Sequence, residues 1–280
     1  MAGPDKGVTA VTLATIKGGE GKTTSAITLG AAFSLGEMDG LGAVVLIDCD
    51  PQGNLGEYLS LGTGPDVADA LTGKRPVKEC LVSVPNYEKL FVIRGNEETY
   101  DVERLFIQME NDPNSETLPN RLRAVIKALA AVAPRERVLV FLDTAPSKGE
   151  LQGAALEAAD YVLCPMQAEY GGETGVNKVQ RWLERMGASN KLLGVIPQRV
   201  RPDSNEHTRT LAIAKRLLGT LMYPEVRESE EMSEAIRVGV PIWSYVRKRT
   251  DITADYRRVF DRLAVDLQFV RKSGDERSML

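Results

Sequence analysis

Soft metal ligands are scarce in this 280-residue chain: one histidine, His207, and three cysteines, Cys49, Cys80 and Cys164. The cysteines lie far apart and form no CxxC pair, so neither a disulfide framework nor a zinc site is expected, and small buried thiols are. No apolar run approaches the roughly 18 residues that a membrane span needs, and the opening MAGPDKGVTA lacks the apolar stretch of a signal peptide. A cytoplasmic protein is the expectation. Internal repeats and low-complexity linkers are absent too, which removes solenoids and tethered multidomain arrays.

Negative charge dominates only in part of the chain. The total is −4, a weak argument against a polyanionic partner. From Arg237 to Leu280, however, ten Lys/Arg face six Asp/Glu, a net +4 that leaves −8 on the preceding 236 residues. A basic end on an acidic body calls for an explanation.

What is present is an alternation of short apolar runs and longer segments of helical period. Strands are predicted at 8–15, 43–48, 89–94, 137–143, 161–166 and 192–197, near-continuous in aliphatic residues as strands covered on both faces should be. Helices are predicted near 23–36, 98–109, 119–133, 150–159, 174–186, 205–219, 229–238 and 252–271. Strand and helix in repeated alternation imply a single α/β domain over 1–280, a doubly wound, mostly parallel sheet with helices on both faces. NDPNSETLP (111–119) is the most loop-like stretch.

The first strand runs straight into TIKGGEGKTT (Thr15–Thr24), and an apolar helix follows. In that context a glycine-rich loop can bind phosphate. Gly18, Gly19 and Gly21 let consecutive backbone N–H groups curl inward, and the helix adds the positive end of its dipole. Lys22 would bridge the β- and γ-phosphates of ATP, and Thr23 would offer its hydroxyl to Mg2+. The standard motif has a glycine five positions before Gly21, where this chain has Ile16, and a second lysine, Lys17, stands before the glycines.

KGGxGKTT is the deviant Walker A form, and here the chain resembles the ParA, MinD and nitrogenase iron-protein ATPases. The resemblance makes residues 16–24, with Lys17, Gly18, Gly19, Glu20, Gly21, Lys22, Thr23 and Thr24, a nucleotide-binding loop. It also implies that Lys17 crosses an ATP-sandwich homodimer to reach the partner's phosphates. Glu20 is unusual for the family, and a carboxylate about 5 Å from triphosphate would cost roughly 1–3 kcal/mol, so its side chain is expected to point outward.

VVLIDCDPQGN (44–54) resembles the ParA-type partition ATPases in particular. Asp48 and Asp50 alternate along the strand end and so project to one face. By the resemblance Asp50 orients the attacking water and Asp48 the Mg2+ hydration shell, in a switch I loop at 48–54 that includes Gln52; a helix cap after Pro51 is the alternative for either. VLVFLDTAPS (138–147) ends in Asp143, a Walker B aspartate for Mg2+, and opens switch II at 143–148. The likeness runs from Val8 to Val270, leaves little for a further domain, and makes Pro224 an adenine contact.

The implied function is a ParA-like partition ATPase: the dimer binds double-stranded DNA without sequence preference, associates with the nucleoid, and is released when a ParB-type partner stimulates hydrolysis. Plasmid, chromosome and protein-cluster cargo stay open. The basic C-terminal helical region at 229–272 supplies Arg237, Arg247, Lys248, Arg249, Arg257 and Arg258 as DNA contacts, with Arg227, Arg199 and Arg201 added by resemblance. Roughly four phosphate contacts per subunit would give a salt slope near −7. A MinD-like membrane switch is the alternative, carried by the stripe Tyr256, Val259, Phe260, Leu263, Leu267 and Val270; such stripes pack into cores more often than into lipid, so no membrane partner is expected. An iron–sulfur role would need cysteines at the dimer seam, whereas Cys49 and Cys164 fall on strands or strand ends.

Overall fold

Along Leu41–Cys49 (β2), Val44 and Leu46 pack on one side of the sheet while Ala43, Val45 and Ile47 pack on the other. The same two-residue period divides Arg137–Thr144 (β5), with Leu139 and Phe141 facing one way and Val138, Val140 and Leu142 the other. The computed structural model in which this is seen describes residues 7–109, 115–146, 149–169 and 171–271. Residues 111–114 of the loop-like stretch, Ser147 and Lys148 of switch II, and Lys272 lie outside the described residues.

The remaining strands are Val8–Leu13 (β1), Leu81–Ser83 (β3), Leu90–Ile93 (β4), Tyr161–Gln167 (β6) and Leu192–Gln198 (β7). Among the described residues they form one seven-stranded sheet in the order β3-β4-β2-β5-β1-β6-β7, parallel throughout except where β3 joins β4. Each of the six predicted strands is present, with ends within two residues of expectation. β3 was not anticipated, because three residues are too few to show a period.

The helices are Lys22–Leu35 (α1), Asn54–Tyr58 (α2), Val67–Thr72 (α3), Glu98–Met109 (α4), Leu118–Ala128 (α5), Glu150–Ala158 (α6), Gly172–Arg185 (α7), Asn205–Leu218 (α8), Glu230–Arg237 (α9), Ile242–Tyr245 (α10) and Asp251–Asp266 (α11). One face of the sheet packs on α1, α2, α10 and α11, the other on α3 to α6, while β6 and β7 bury their side chains against α7 and α8. Phe33 of α1 meets Phe260 of α11 edge to face at 4.7 Å, and the Trp243 indole N–H donates to the Thr28 carbonyl oxygen at 2.8 Å. Truncating a buried phenylalanine such as Phe33 to alanine costs about 3–5 kcal/mol.

α11 stops five residues short of the prediction. The chain turns at Gln268 (φ 57°) so that Phe269 packs on Phe33 and beneath the Arg137 guanidinium, 3.7 Å from its ring centroid. Arg137 also donates to the Leu267 and Gln268 carbonyl oxygens, satisfying the helix end. Tyr256, Val259, Phe260, Leu263 and Leu267 are all buried in this core, and Val270 alone of the stripe is exposed, at 69%. No helix among the described residues is long and apolar enough to cross a membrane.

The fold delivers two carboxylates to one place. Asp48 and Asp143 continue the parity of Leu46 and Phe141, so both face the α1 side, at the C-terminal ends of neighbouring strands where they are register partners. In parallel α/β sheets this edge is where ligands bind.

Candidate functional site

β1 ends at Leu13, and the segment from Ala14 to Gly21 curls over the sheet edge before α1 starts at Lys22. Gly19 (φ 77°) and Gly21 (φ 86°) take the left-handed conformation, which glycine adopts without steric cost. Gly21 is the N-cap of α1 and no side chain caps that end, so its N–H groups open toward the loop. Lys22, 7% exposed, lies in the field of Asp143, Asp50 and Glu20. Burial nevertheless pulls its ammonium below the usual lysine range, with those carboxylates opposing the shift.

Asp143 is fully buried, and neither of its oxygens meets a donor in good hydrogen-bonding geometry among the described residues. Burial pushes its pKa up to about 7, against the opposing pull of the Thr23 hydroxyl and Lys22. An orphaned buried carboxylate beside a threonine hydroxyl is the environment a cation would complete. Among the described residues no three His, Cys, Asp or Glu side chains cluster to hold a metal by themselves. That suits Mg2+, which uses one or two carboxylates together with phosphate oxygens.

Asp48 is placed differently from Asp143. Its Oδ1 accepts from the Asp50 N–H and its Oδ2 from the Leu55 N–H, each at 3.0 Å, so it ties the 48–54 turn and the start of α2 to the sheet. Burial, then Asp143, holds its carboxyl well above the ordinary aspartate range. Among the described residues, Asp50 has Oδ1 alone engaged, accepting from the Gln52 N–H at 3.0 Å.

Glu20 overturns the expectation that it points outward. It is 1% exposed and turned inward, its Oε2 accepting from the Gln167 backbone N–H, while Gln167 Nε2 donates back to the Gly19 carbonyl at 2.7 Å. The carboxylate thus staples the loop to the end of β6. Repulsion from a triphosphate was the argument for an outward side chain; in the chain without nucleotide, a buried N–H needing an acceptor outweighs it.

On the far side of the loop lies a cleft of about 250 Å³ between Gly19, Gly21 and Thr24 and a wall that includes Val226, Met232 and Tyr256. Apolar side chains beside a phosphate-binding loop suit a nucleoside. Pro224 is not among the lining residues. Sequence reasoning missed Gln167 and Gln198, register partners at the ends of β6 and β7. Gln198 bridges Ser25 Oγ (3.2 Å) and the Tyr256 hydroxyl (3.1 Å), tying α1 to α11. Two apolar strands both ending in glutamine at the ligand edge were the available signal.

The basic residues fall into two sets. Arg247, Lys248 and Arg249 are exposed in the turn before α11 and form no ion pair among the described residues. Arg257 pairs with Asp261 (3.3 Å), Arg258 with Asp255 (2.8 Å) and Arg237 with Glu234 (3.5 Å). Arg199 and Arg201 share Glu228. Arg227, expected on a DNA surface, lines the cleft beside the loop and is held by Asp251 and by both oxygens of fully buried Asp255.

With this geometry in place, comparison with known proteins is direct. The AAA domain family profile matches residues 8–194. The chain is 34% identical to the chromosome partitioning protein ParA of Myxococcus xanthus over 60% of its own length, and 30% identical to protein IncC of Escherichia coli over 89% of its length and 68% of that protein. It spans 55 to 62% of the length of the chromosome-partitioning relatives it matches. The fold is similar to that of an ATP complex of a McdA variant from Cyanothece, at a TM-score of 0.79 and 22% identity over 96% of this chain and 99% of that one. A match over most of the chain, joined to the loop with two lysines and the strand-end aspartates, places the protein in the AAA domain family, among the ParA-type partition ATPases of the MinD/ParA superfamily.

Proposed function

We propose that the chain is a Mg2+-dependent ATPase whose ATP-bound form is a face-to-face homodimer that binds duplex DNA without sequence preference. A ParB-type partner stimulates hydrolysis and frees the dimer, so that cycles of binding and release over the nucleoid move a plasmid or chromosome. The observation that carries this reading is the pairing of an uncapped, glycine-shaped helix start bearing Lys22 with the orphaned carboxylate of Asp143.

In this reading the loop N–H groups and Lys22 bind the β- and γ-phosphates, and the nucleoside lies against Val226, Met232 and Tyr256. Thr23 and Asp143 would hold Mg2+ together with the nucleotide, and the ion would supply positive charge to the phosphates. Asp48 fixes the turn that carries Asp50, and Asp50 holds the attacking water by its free oxygen. Lys17 reaches the partner subunit's phosphates and adds positive charge there. Turnover without the partner protein is slow, because the site positions charge but waits for a second component to complete it.

Arg247, Lys248 and Arg249 form the DNA surface; Arg257 lies beside it in the electrostatic field of Arg249 but is paired with Asp261. Five of the six residues in the stripe behind the membrane alternative pack into the core, and Val270 is exposed. The test combines ATP turnover, light scattering with ATP or ADP, and electrophoretic shift of arbitrary duplex DNA. ATP-dependent dimers that shift DNA are expected; turnover by a constant monomer would reject the reading.

A further inference from the structure

Lys17 has two acidic neighbours on its own subunit. Its Nζ lies 3.5 Å from Glu20 Oε1 and 3.8 Å from Glu169 Oε2. The two carboxylates are unlike each other. Glu20 is buried and fixed in place through Oε2 by the Gln167 N–H; its other oxygen accepts no hydrogen bond among the described residues and is the one facing the lysine. Glu169 stands half exposed just past the end of β6. α7 closes the third side at Gly175, where an added Cβ would sit 3.0 Å from Thr15 Oγ1 and 3.7 Å from Lys17 Cβ.

A buried carboxylate with one free oxygen is costly unless a cation meets it, and Lys17 is the cation within ion-pair distance. The attraction is mutual, so the lysine is drawn back over its own loop rather than projected from it. Lys17 is 41% exposed, which leaves its ammonium free to exchange partners when a stronger anion arrives.

We propose that Glu20, with Glu169 as an outer arm, is a latch that holds Lys17 on its own subunit and sets how readily two nucleotide-loaded copies join. The proposal rests on the dimer reading given above and names Glu20 as a positioning residue that acts on dimerisation through Lys17. Joining requires each lysine to leave two carboxylates for the partner's triphosphate, whose larger charge makes the exchange favourable. The latch therefore weakens dimerisation without blocking it, and keeps the unloaded protein from pairing.

The test measures the protein concentration for half-dimerisation at saturating non-hydrolysable ATP analogue with Mg2+, so that nucleotide affinity drops out. Glu20→Gln retains an acceptor for the Gln167 N–H and removes the charge. It is expected to lower the half-dimerisation concentration about tenfold, roughly threefold for each of the two lysines released, within the range of partly exposed ion pairs. Glu169→Gln, which leaves the Glu20–Gln167 staple intact, is expected to lower it about twofold, and so keeps the test valid should Glu20→Gln fold poorly. Added salt should narrow the gap between wild type and variants by screening the pair. Wild-type values in both variants, or weaker dimers, would overturn the latch. Lys17→Ala separates the two levels: equal dimerisation of wild type and Lys17→Ala would count against the cross-dimer role itself, whereas a Lys17-dependent dimer indifferent to Glu20 and Glu169 would overturn the latch alone.

Discussion

At the phosphate loop, Lys22 and Asp143 are buried and form no ion pair among the described residues; along α11, Arg257, Arg258 and Arg262 lie at or near the surface and each has an acid within 3.3 Å. The first region holds buried charges that attract one another through space but make no ion-pair contact, at a cost to stability. The second neutralises most of its own charge and leaves three basic residues, Arg247, Lys248 and Arg249, for a partner. Unpaired charge thus marks both places where an anion is expected, one buried for triphosphate and one exposed for a polyanion. Counting lysines and arginines does not separate them; pairing does.

The largest effect expected of this contrast is at Lys22. Lys22→Ala removes the buried cation that faces the phosphates and should weaken ATP binding by at least a hundredfold, about 3 kcal/mol, in equilibrium titration. A loss under tenfold would mean the loop N–H groups do nearly all of the binding.

Asp143→Asn should trade activity for stability. The variant is expected to lose ATP turnover yet melt a few degrees higher than wild type without nucleotide, since a carboxylate whose burial outweighs its compensation is gone. The pH dependence follows from the raised pKa, about 7 in the folded chain against about 3.9 unfolded. Between those values the unfolded state gives up the proton and the folded state keeps it, so wild-type stability falls as pH rises from about 4 to 7 and then levels. The advantage of the variant should therefore be larger at pH 8 than at pH 5. An advantage that shrinks with rising pH would contradict the assignment.

Paired and unpaired arginines should separate in DNA binding. With three free basic residues per subunit, a dimer makes about six phosphate contacts, giving a salt slope near −5 rather than the −7 that a plain charge count suggests. Arg247→Glu with Lys248→Glu should abolish shifts of arbitrary duplex DNA while ATP-dependent dimers persist. Arg258→Ala should change affinity less than threefold, because Asp255 already holds that guanidinium.

The smallest expected effect is at Glu20. Glu20→Val should bind nucleotide more tightly, because a negative charge near Lys22 is removed, but should melt a few degrees lower because the buried Gln167 N–H loses its acceptor. Glu20→Gln, which keeps the acceptor, should melt like wild type. Equal melting of all three would show that the loop is not stapled to β6.

Much of this molecule was legible in the sequence. The strands announced themselves as apolar runs, and a glycine-rich loop between a strand and an apolar helix carries its chemistry in adjacent residues. The illegible parts depend on partners distant in sequence. The inward turn of Glu20 follows from Gln167, 147 residues on, and the capture of Arg227 from Asp255, 28 residues on. Asp48 looked like its neighbour Asp50 until the Leu55 N–H was seen to claim its second oxygen. Short elements such as β3 and α10 (Ile242–Tyr245) are too brief to show a period, and arise from the packing around them.

The claim that two subunits share one nucleotide site through Lys17 is tested most directly by light scattering of wild type and Lys17→Ala with Mg2+ and ATP or ADP. The account predicts dimers only for wild type with ATP, while Lys17→Ala stays monomeric although it still binds nucleotide. Identical masses for the two proteins with ATP would contradict it.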